Sequence, residues 1–209
     1  SSTGAAFAAL KSNGSVVTWG SNTYGGNSSS VSGSLTSGVT QVFSTSQAFA
    51  ALKSDGSVVT WGSNTYGGNS STVSASLTSG VTQIFSTDYA FAALKTGGSV
   101  VTWGLYGGDS STVASRLTSG VTQIFATEYA FAALKSDGSV VTWGADGGDS
   151  SAVASQLASG VAQIFSTASA FAALKTDGSV VTWGTSGGNS STVAGQLSSG
   201  VAQVFATDA

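Results

Sequence analysis

Residues 81–120 read VTQIFSTDYAFAALKTGGSVVTWGLYGGDSSTVASRLTSG, and this pattern recurs along almost the whole chain. Its Trp-Gly pair falls at Trp19-Gly20, Trp61-Gly62, Trp103-Gly104, Trp143-Gly144 and Trp183-Gly184, with a period of 42 residues for two steps and 40 for two more. A repeat of that length is the mark of a propeller, solenoid or array, in which single units stack to bury a shared core. The change of period is confined to the stretch after Trp-Gly. It reads SNTYGG in the first two copies and LYGG, ADGG and TSGG in the later ones. A length change at one point of a repeat marks a surface loop.

Each unit reads as three strands. In the third copy these are VTQIFST (81–87), AFAALK (90–95) and SVVTWG (99–104), rich in β-branched and aromatic residues. Between the second and third lies Asn13-Gly14, Asp55-Gly56, Gly97-Gly98, Asp137-Gly138 or Asp177-Gly178. These pairs predict a two-residue type I′ turn, which needs φ > 0 at both positions. The variation to Asn and Gly makes the aspartates turn residues rather than ligands or catalysts. The segment GGDSSTVASRLTSG has Asp or Ser for an N-cap, Val113 and Leu117 at i, i+4, and Gly120 as a C′ residue. It favours a helix of about two turns over a short outer strand.

The first strand type starts at Val39, Val81, Val121, Val161 and Val201, whereas the chain opens on a second strand around Phe7. The two ends therefore carry complementary parts of one unit. Joining VAQVFATDA (201–209) to AAFAALK (5–11) would close a ring, as propellers do to remove their exposed edges. The expected fold is all-β with short helices: a single repeat domain over 1–209 forming a closed five-bladed β-propeller.

Composition narrows the chemistry. Charged residues are 7% of the 209, against roughly 25% in an ordinary domain. With no His and no Cys, the chain holds no Ser-His-Asp arrangement, thiol nucleophile or His- or Cys-based metal site. A net charge of −3 with six basic residues argues against binding a phosphate backbone. No apolar stretch is long enough for a transmembrane helix. The chain opens Ser-Ser with no signal peptide, as expected of a mature product, an excised domain or an incomplete N-terminus.

The run SGVTQIFSTDYAFAALKTGGSVVTWG (119–144 in its next copy, 79–104 as quoted) resembles the repeat of the regulator-of-chromosome-condensation family of β-propellers, through its Ala-Leu, Asp-Gly, Val and Trp-Gly spacing. The resemblance implies the family's blade design. Where that repeat has Gly, this chain has Thr45, Thr87, Thr127 and Thr167, and its His is Ala48, Ala90, Ala130 and Ala170. The family's basic arm is missing, and none of its functional residues carries over.

The five Trp, with Phe85 and Phe91 and their equivalents, are expected to pack between neighbouring blades. Lys11, Lys53, Lys95, Lys135 and Lys175 read as solubilising charges at strand ends. The sequons at Asn13, Asn27, Asn69 and Asn189 reflect composition. The informative positions are those that vary. One set lies after Trp-Gly, with Tyr24, Tyr66 and Tyr106. The other lies between the first and second strands, where Asp88-Tyr89 and Glu128-Tyr129 set an acid beside a Tyr. Asp88, Tyr89, Glu128 and Tyr129 are the candidate partner-binding residues, expected on one side of the ring. The expected function is non-catalytic: a scaffold for protein interaction or a structural subunit of a larger assembly. It uses no cofactor or metal and binds no nucleic acid. A lectin with shallow repeated sites for a glycan is the alternative.

Overall fold

The computed structural model describes residues 1–207, in two compact units, one spanning Ser1–Asp109 and the other beginning at Ser110. The first unit contains three antiparallel sheets: β1 (Ala6–Leu10) with β2 (Val16–Gly20); β3 (Val39–Ser44), β4 (Ala48–Lys53) and β5 (Val58–Gly62); and β6 (Val81–Ser86), β7 (Ala90–Lys95) and β8 (Val100–Gly104). The second unit contains two more: β9 (Val121–Ala126), β10 (Ala130–Lys135) and β11 (Val140–Gly144); and β12 (Val161–Ser166), β13 (Ala170–Lys175) and β14 (Val180–Gly184). The chain is thus mostly β, and each three-stranded sheet is a meander with its second strand in the middle.

The middle strand explains its own sequence. Ala48, Ala50 and Leu52 pack with Leu77 and with Val81, Ile84, Phe91, Ala93 and Trp103 of the next sheet. On the opposite face, Phe49 and Ala51 join Trp61 against Ala6 and Ala8 of the preceding sheet. A strand covered on both faces reads as a continuous apolar run rather than an alternating one. In the second unit Ala130, Ala132 and Leu134 meet Ile164, Phe171, Ala173 and Trp183 in the same way. Within each sheet a Phe stacks on the Trp paired with it, at centroid separations of 5.2 Å for Phe49–Trp61 and 5.3 Å for Phe91–Trp103.

The loops after the first two Trp-Gly pairs belong structurally to the sheet that follows. The indole N–H of Trp61 donates to the Gly25 carbonyl, and that of Trp103 to the Gly67 carbonyl, both at 3.0 Å. Gly25 and Gly67 have φ of 91° and 93°, and a Cβ on either would lie 2.6–2.7 Å from a carbon of Phe49 or Phe91. Only glycine meets both demands.

The hairpin turn differs from the expected type I′. Lys11 and Ser15 pair at its base (Lys11 N–H to Ser15 O, 2.8 Å), and Gly14 N–H returns to Lys11 O at 2.9 Å. Three residues therefore lie between the paired positions. Only the Gly takes positive φ (77° at Gly14 and at Gly138), whereas Asn13, Asp55, Asp137 and Asp177 do not. This is a type I turn closed by a left-handed glycine, the usual three-residue hairpin. The third copy, with Gly97 at φ 87°, departs from the rest.

The segment between units is helical rather than an outer strand, but its turns are 3₁₀: Ser29–Leu35, Ser71–Leu77 and Ser111–Leu117, shortened to Ser151–Val153 and Ser191–Gln196 in the last two copies. Seven residues rich in Ser, Thr and Val are too few to sustain an α-helix. The N-cap serines make no side-chain cap bond. Asn27, Asn69, Asp149 and Asn189 instead accept the N–H two residues on, at 2.9–3.0 Å. Leu35, Leu77, Leu117 and Leu157 anchor these segments in the cores.

Residues 201–207 do not form the strand expected over 201–209, Phe205 is 87% exposed, and positions 208 and 209 lie outside the described residues. In the first unit β1 lacks a full first strand. Ser1 exchanges two hydrogen bonds with Ala8 (3.0 and 3.2 Å) and Ser2 bridges Phe7, so residues 1–3 hold only the end of that position. Phe7, Val17 and Trp19 are each 51% exposed there, whereas Trp61 and Trp103 are 3% exposed. Among the described residues no helix is long and apolar enough to cross a membrane.

Candidate functional site: the loop end of the sheets

The two variable loop sets meet at one end of every sheet. The residue after Trp-Gly donates its N–H to the turn between the first and second strands: Ser21 to Ala5, Ser63 to Gln47, Leu105 to Tyr89, Ala145 to Tyr129 and Thr185 to Ser169, all at 2.9–3.1 Å. The turns themselves are fixed by the threonines that stand where the family repeat has Gly. Thr45, Thr87, Thr127 and Thr167 accept the N–H three residues on, at 2.9–3.2 Å. Their regular replacement of Gly was the signal for this tie, which sequence reasoning missed.

Asp88 is exposed, and its main-chain carbonyl accepts from both the N–H (3.0 Å) and the hydroxyl (2.7 Å) of Ser46 in the preceding copy. Tyr89 is half-buried. It stacks on Tyr66 (centroids 5.1 Å, 29°) and meets Tyr106 edge-on (5.1 Å, 85°). The structure thereby joins tyrosines of both loop sets and of two different copies. Tyr66 packs on the core between the second and third sheets, whereas Tyr106 is 50% exposed. Tyr106 has φ 52°, the one non-glycine residue in the left-handed region among the described residues, a strain of order 1 kcal/mol. Tyr24 packs on the core between the first two sheets. In the second unit Glu128 is exposed and Tyr129 half-buried, and the Glu128 N–H donates to Ala168 O at 2.9 Å.

The charged residues at the opposite, hairpin end serve structure. Asp55, Asp137 and Asp177 each accept the hydroxyl (2.6 Å) and N–H (2.9 Å) of the Ser two residues on. The serine hydroxyl, then the serine N–H, and to a smaller extent the neighbouring Lys hold these carboxyls below the ordinary aspartate value. The ammonium groups of Lys95, Lys135 and Lys175 donate to carbonyls of Ser76, Arg116 and Gln156 at the ends of the helical segments. Cations favour that place. Among the described residues no three acidic side chains come together as a metal site.

Residues 39–67 match the regulator of chromosome condensation (RCC1) repeat, across the whole of the second sheet and its loop. The fold is similar to that of human WBSCR16, with a TM-score of 0.53 and 21% identity over 86% of this chain and 59% of that one. Yeast RCC1 (Prp20), solved with Kap60, gives 0.53 and 19% over 87% of this chain and 54% of that one. Saccharomyces cerevisiae Prp20p, described with its binding to Gsp1p and histones, gives 0.51 and 18% over 87% and 56%. The chain spans between half and three-fifths of the length of these RCC1-like structures. No curated protein sequence matches it significantly. Nothing in these comparisons supports a carbohydrate-binding role.

Proposed function

We propose that the chain is a non-catalytic β-propeller module that binds a protein partner, as a scaffold or as a subunit of a larger assembly. Its five sheets are the blades of one ring over 1–209, closed when the segment from Val201 pairs with β1. The partner-binding residues are Asp88 and Tyr89 in the third copy, and Glu128 and Tyr129 in the fourth.

One observation carries this reading. The cores repeat with little change, while the two loop sets that differ between copies hydrogen-bond to each other at one end of the sheets; the helical segments also vary, as at Gly33, Ala75 and Arg116. Variable residues on a rigid repeated frame are the usual arrangement of a recognition surface. Protein binding is also the described property of Prp20, with Kap60, Gsp1p and histones. Without His or Cys, general-base and nucleophilic chemistry has few candidates here.

Affinity capture with the full chain tests the assignment. The Tyr89→Ala/Tyr129→Ala variant should lose about 1–3 kcal/mol of partner binding, as truncated interface anchors do. The Lys53→Ala/Lys135→Ala variant at the hairpin end should keep it. The reverse result overturns the reading.

A further inference from the structure

We propose that the loop end of the first unit binds an arginine-bearing segment of its partner, through Tyr66, Tyr89, Tyr106 and Asp88. This rests on the reading that the loop end is the protein-binding end, and it states what the partner must present there.

The charges of the chain are sorted by end. All six basic residues lie at hairpin ends: the five lysines directly precede the hairpin turns, and the Arg116 guanidinium donates to Val140 O at the start of β11 (2.8 Å). The hairpin ends also carry Asp55, Asp137 and Asp177. The loop ends and the segments leaving them carry acids alone, namely Asp88 and Asp109 in the first unit and Glu128, Asp146 and Asp149 in the second. Among the described side chains, each unit therefore presents a negative field at its loop end. Such a field attracts cationic partners and repels phosphate.

Stacked and edge-on contacts fix the three tyrosines as a corner, with Tyr66 rooted in the core. The short LYGG loop gives its left-handed position to Tyr106, where the longer loops use Gly25 and Gly67 (φ 91° and 93°). A strained residue thus brings a third, half-exposed ring beside Tyr89. Aromatic faces are electronegative and draw cations. A guanidinium suits the corner better than an ammonium. It is flat and weakly hydrated, so it stacks on a ring while its N–H fork can meet the carboxylate of Asp88.

The test is fluorescence anisotropy of the full chain with labelled peptides of four Arg-Gly-Ser repeats, four Lys-Gly-Ser repeats or four Glu-Gly-Ser repeats. The Arg peptide should bind about threefold or more tightly than the Lys peptide, and the Glu peptide should not bind. Asp88→Asn should weaken the Arg peptide about threefold and Tyr89→Ala about tenfold, while Lys53→Ala changes nothing. If Tyr89→Ala unfolds, as circular dichroism would show, Asp88→Asn decides alone, because its carboxylate is exposed. Arg-peptide binding that ignores Asp88→Asn, equal binding of the Arg and Lys peptides, or no binding at all overturns the proposal. A Glu peptide or a neutral oligosaccharide that binds and is lost with Tyr89→Ala also overturns it. In the Glu-peptide case the loop end still stands as a protein-binding end and only its charge preference fails.

Discussion

The proposed closure of the ring makes a prediction of register. In the second sheet Val42 pairs with Ala51, in the third Ile84 with Ala93, and in the fifth Ile164 with Ala173. The equivalent residues of the closing blade are Val204 and Ala9. The neighbouring Ser1–Ala8 pair is doubly hydrogen-bonded, so position 9 falls on the alternate kind of pair, where side chains approach most closely. That spacing suits a disulfide. The chain has no cysteine, so Ala9→Cys/Val204→Cys introduces the only two thiols. Oxidation should give a monomeric, intramolecular bond, seen as faster migration on a non-reducing gel. The bond would close a loop of about 195 residues, which in the chain-entropy treatment is worth about 5 kcal/mol as an upper bound. For a chain of this size the melting temperature should then rise by roughly 10 °C, reversed by reductant. The off-register pair Ala9→Cys/Gln203→Cys should form the bond poorly. An intermolecular bond, no bond, or equal yield from both pairs would refute closure in cis.

Other expectations are smaller in scope. Asp137→Asn should change stability by less than about 0.5 kcal/mol, because Asn13 already accepts the same two bonds from Ser15. Gly138→Val should cost several times more by chemical denaturation, since a Cβ there has φ 77° and lies 2.8 Å from the Gly160 nitrogen. Trp103→Phe should cost about 1–3 kcal/mol, from the cavity and the orphaned Gly67 carbonyl. Depressed aspartate pKa values stabilise the fold above the unfolded value of about 4, and that stability is lost as pH falls through the lower folded values. Between pH 5 and 2 the melting temperature of the native chain should therefore fall further than that of Ser57→Ala/Ser139→Ala/Ser179→Ala, which lacks those bonds.

The strands were legible because their cause is local. AFAALK reads as a doubly covered strand, and Ala90–Lys95 forms with those bounds. The hairpin was misjudged because Asp-Gly fits two turn geometries. The choice is made by pairing of the flanking Lys and Ser, and no single residue carries that information. The helical segment was legible in kind, while its 3₁₀ form depends on shortness and β-branching. Asp88 and Tyr89 could be picked out by their variation between copies. Their tyrosine neighbours could not, because Tyr66 comes from one copy and Tyr89 and Tyr106 from the next. Only the stacking of one copy on another brings them together.

The carbonyls of Gly25 and Gly67 give the array a direction. In the first unit the first copy completes the tryptophan site of the second, and the second that of the third. Damage should therefore travel toward the C-terminus. A lesion in the loop at Gly25 leaves the first sheet's own ladder intact but strips the second sheet of the acceptor for Trp61 and of the backbone lying on Phe49. Amide exchange in such a variant should quicken in β4 and β5 before β1 and β2. Within the first unit, copies that read as equal would then melt as an ordered sequence, each depending on the one before it.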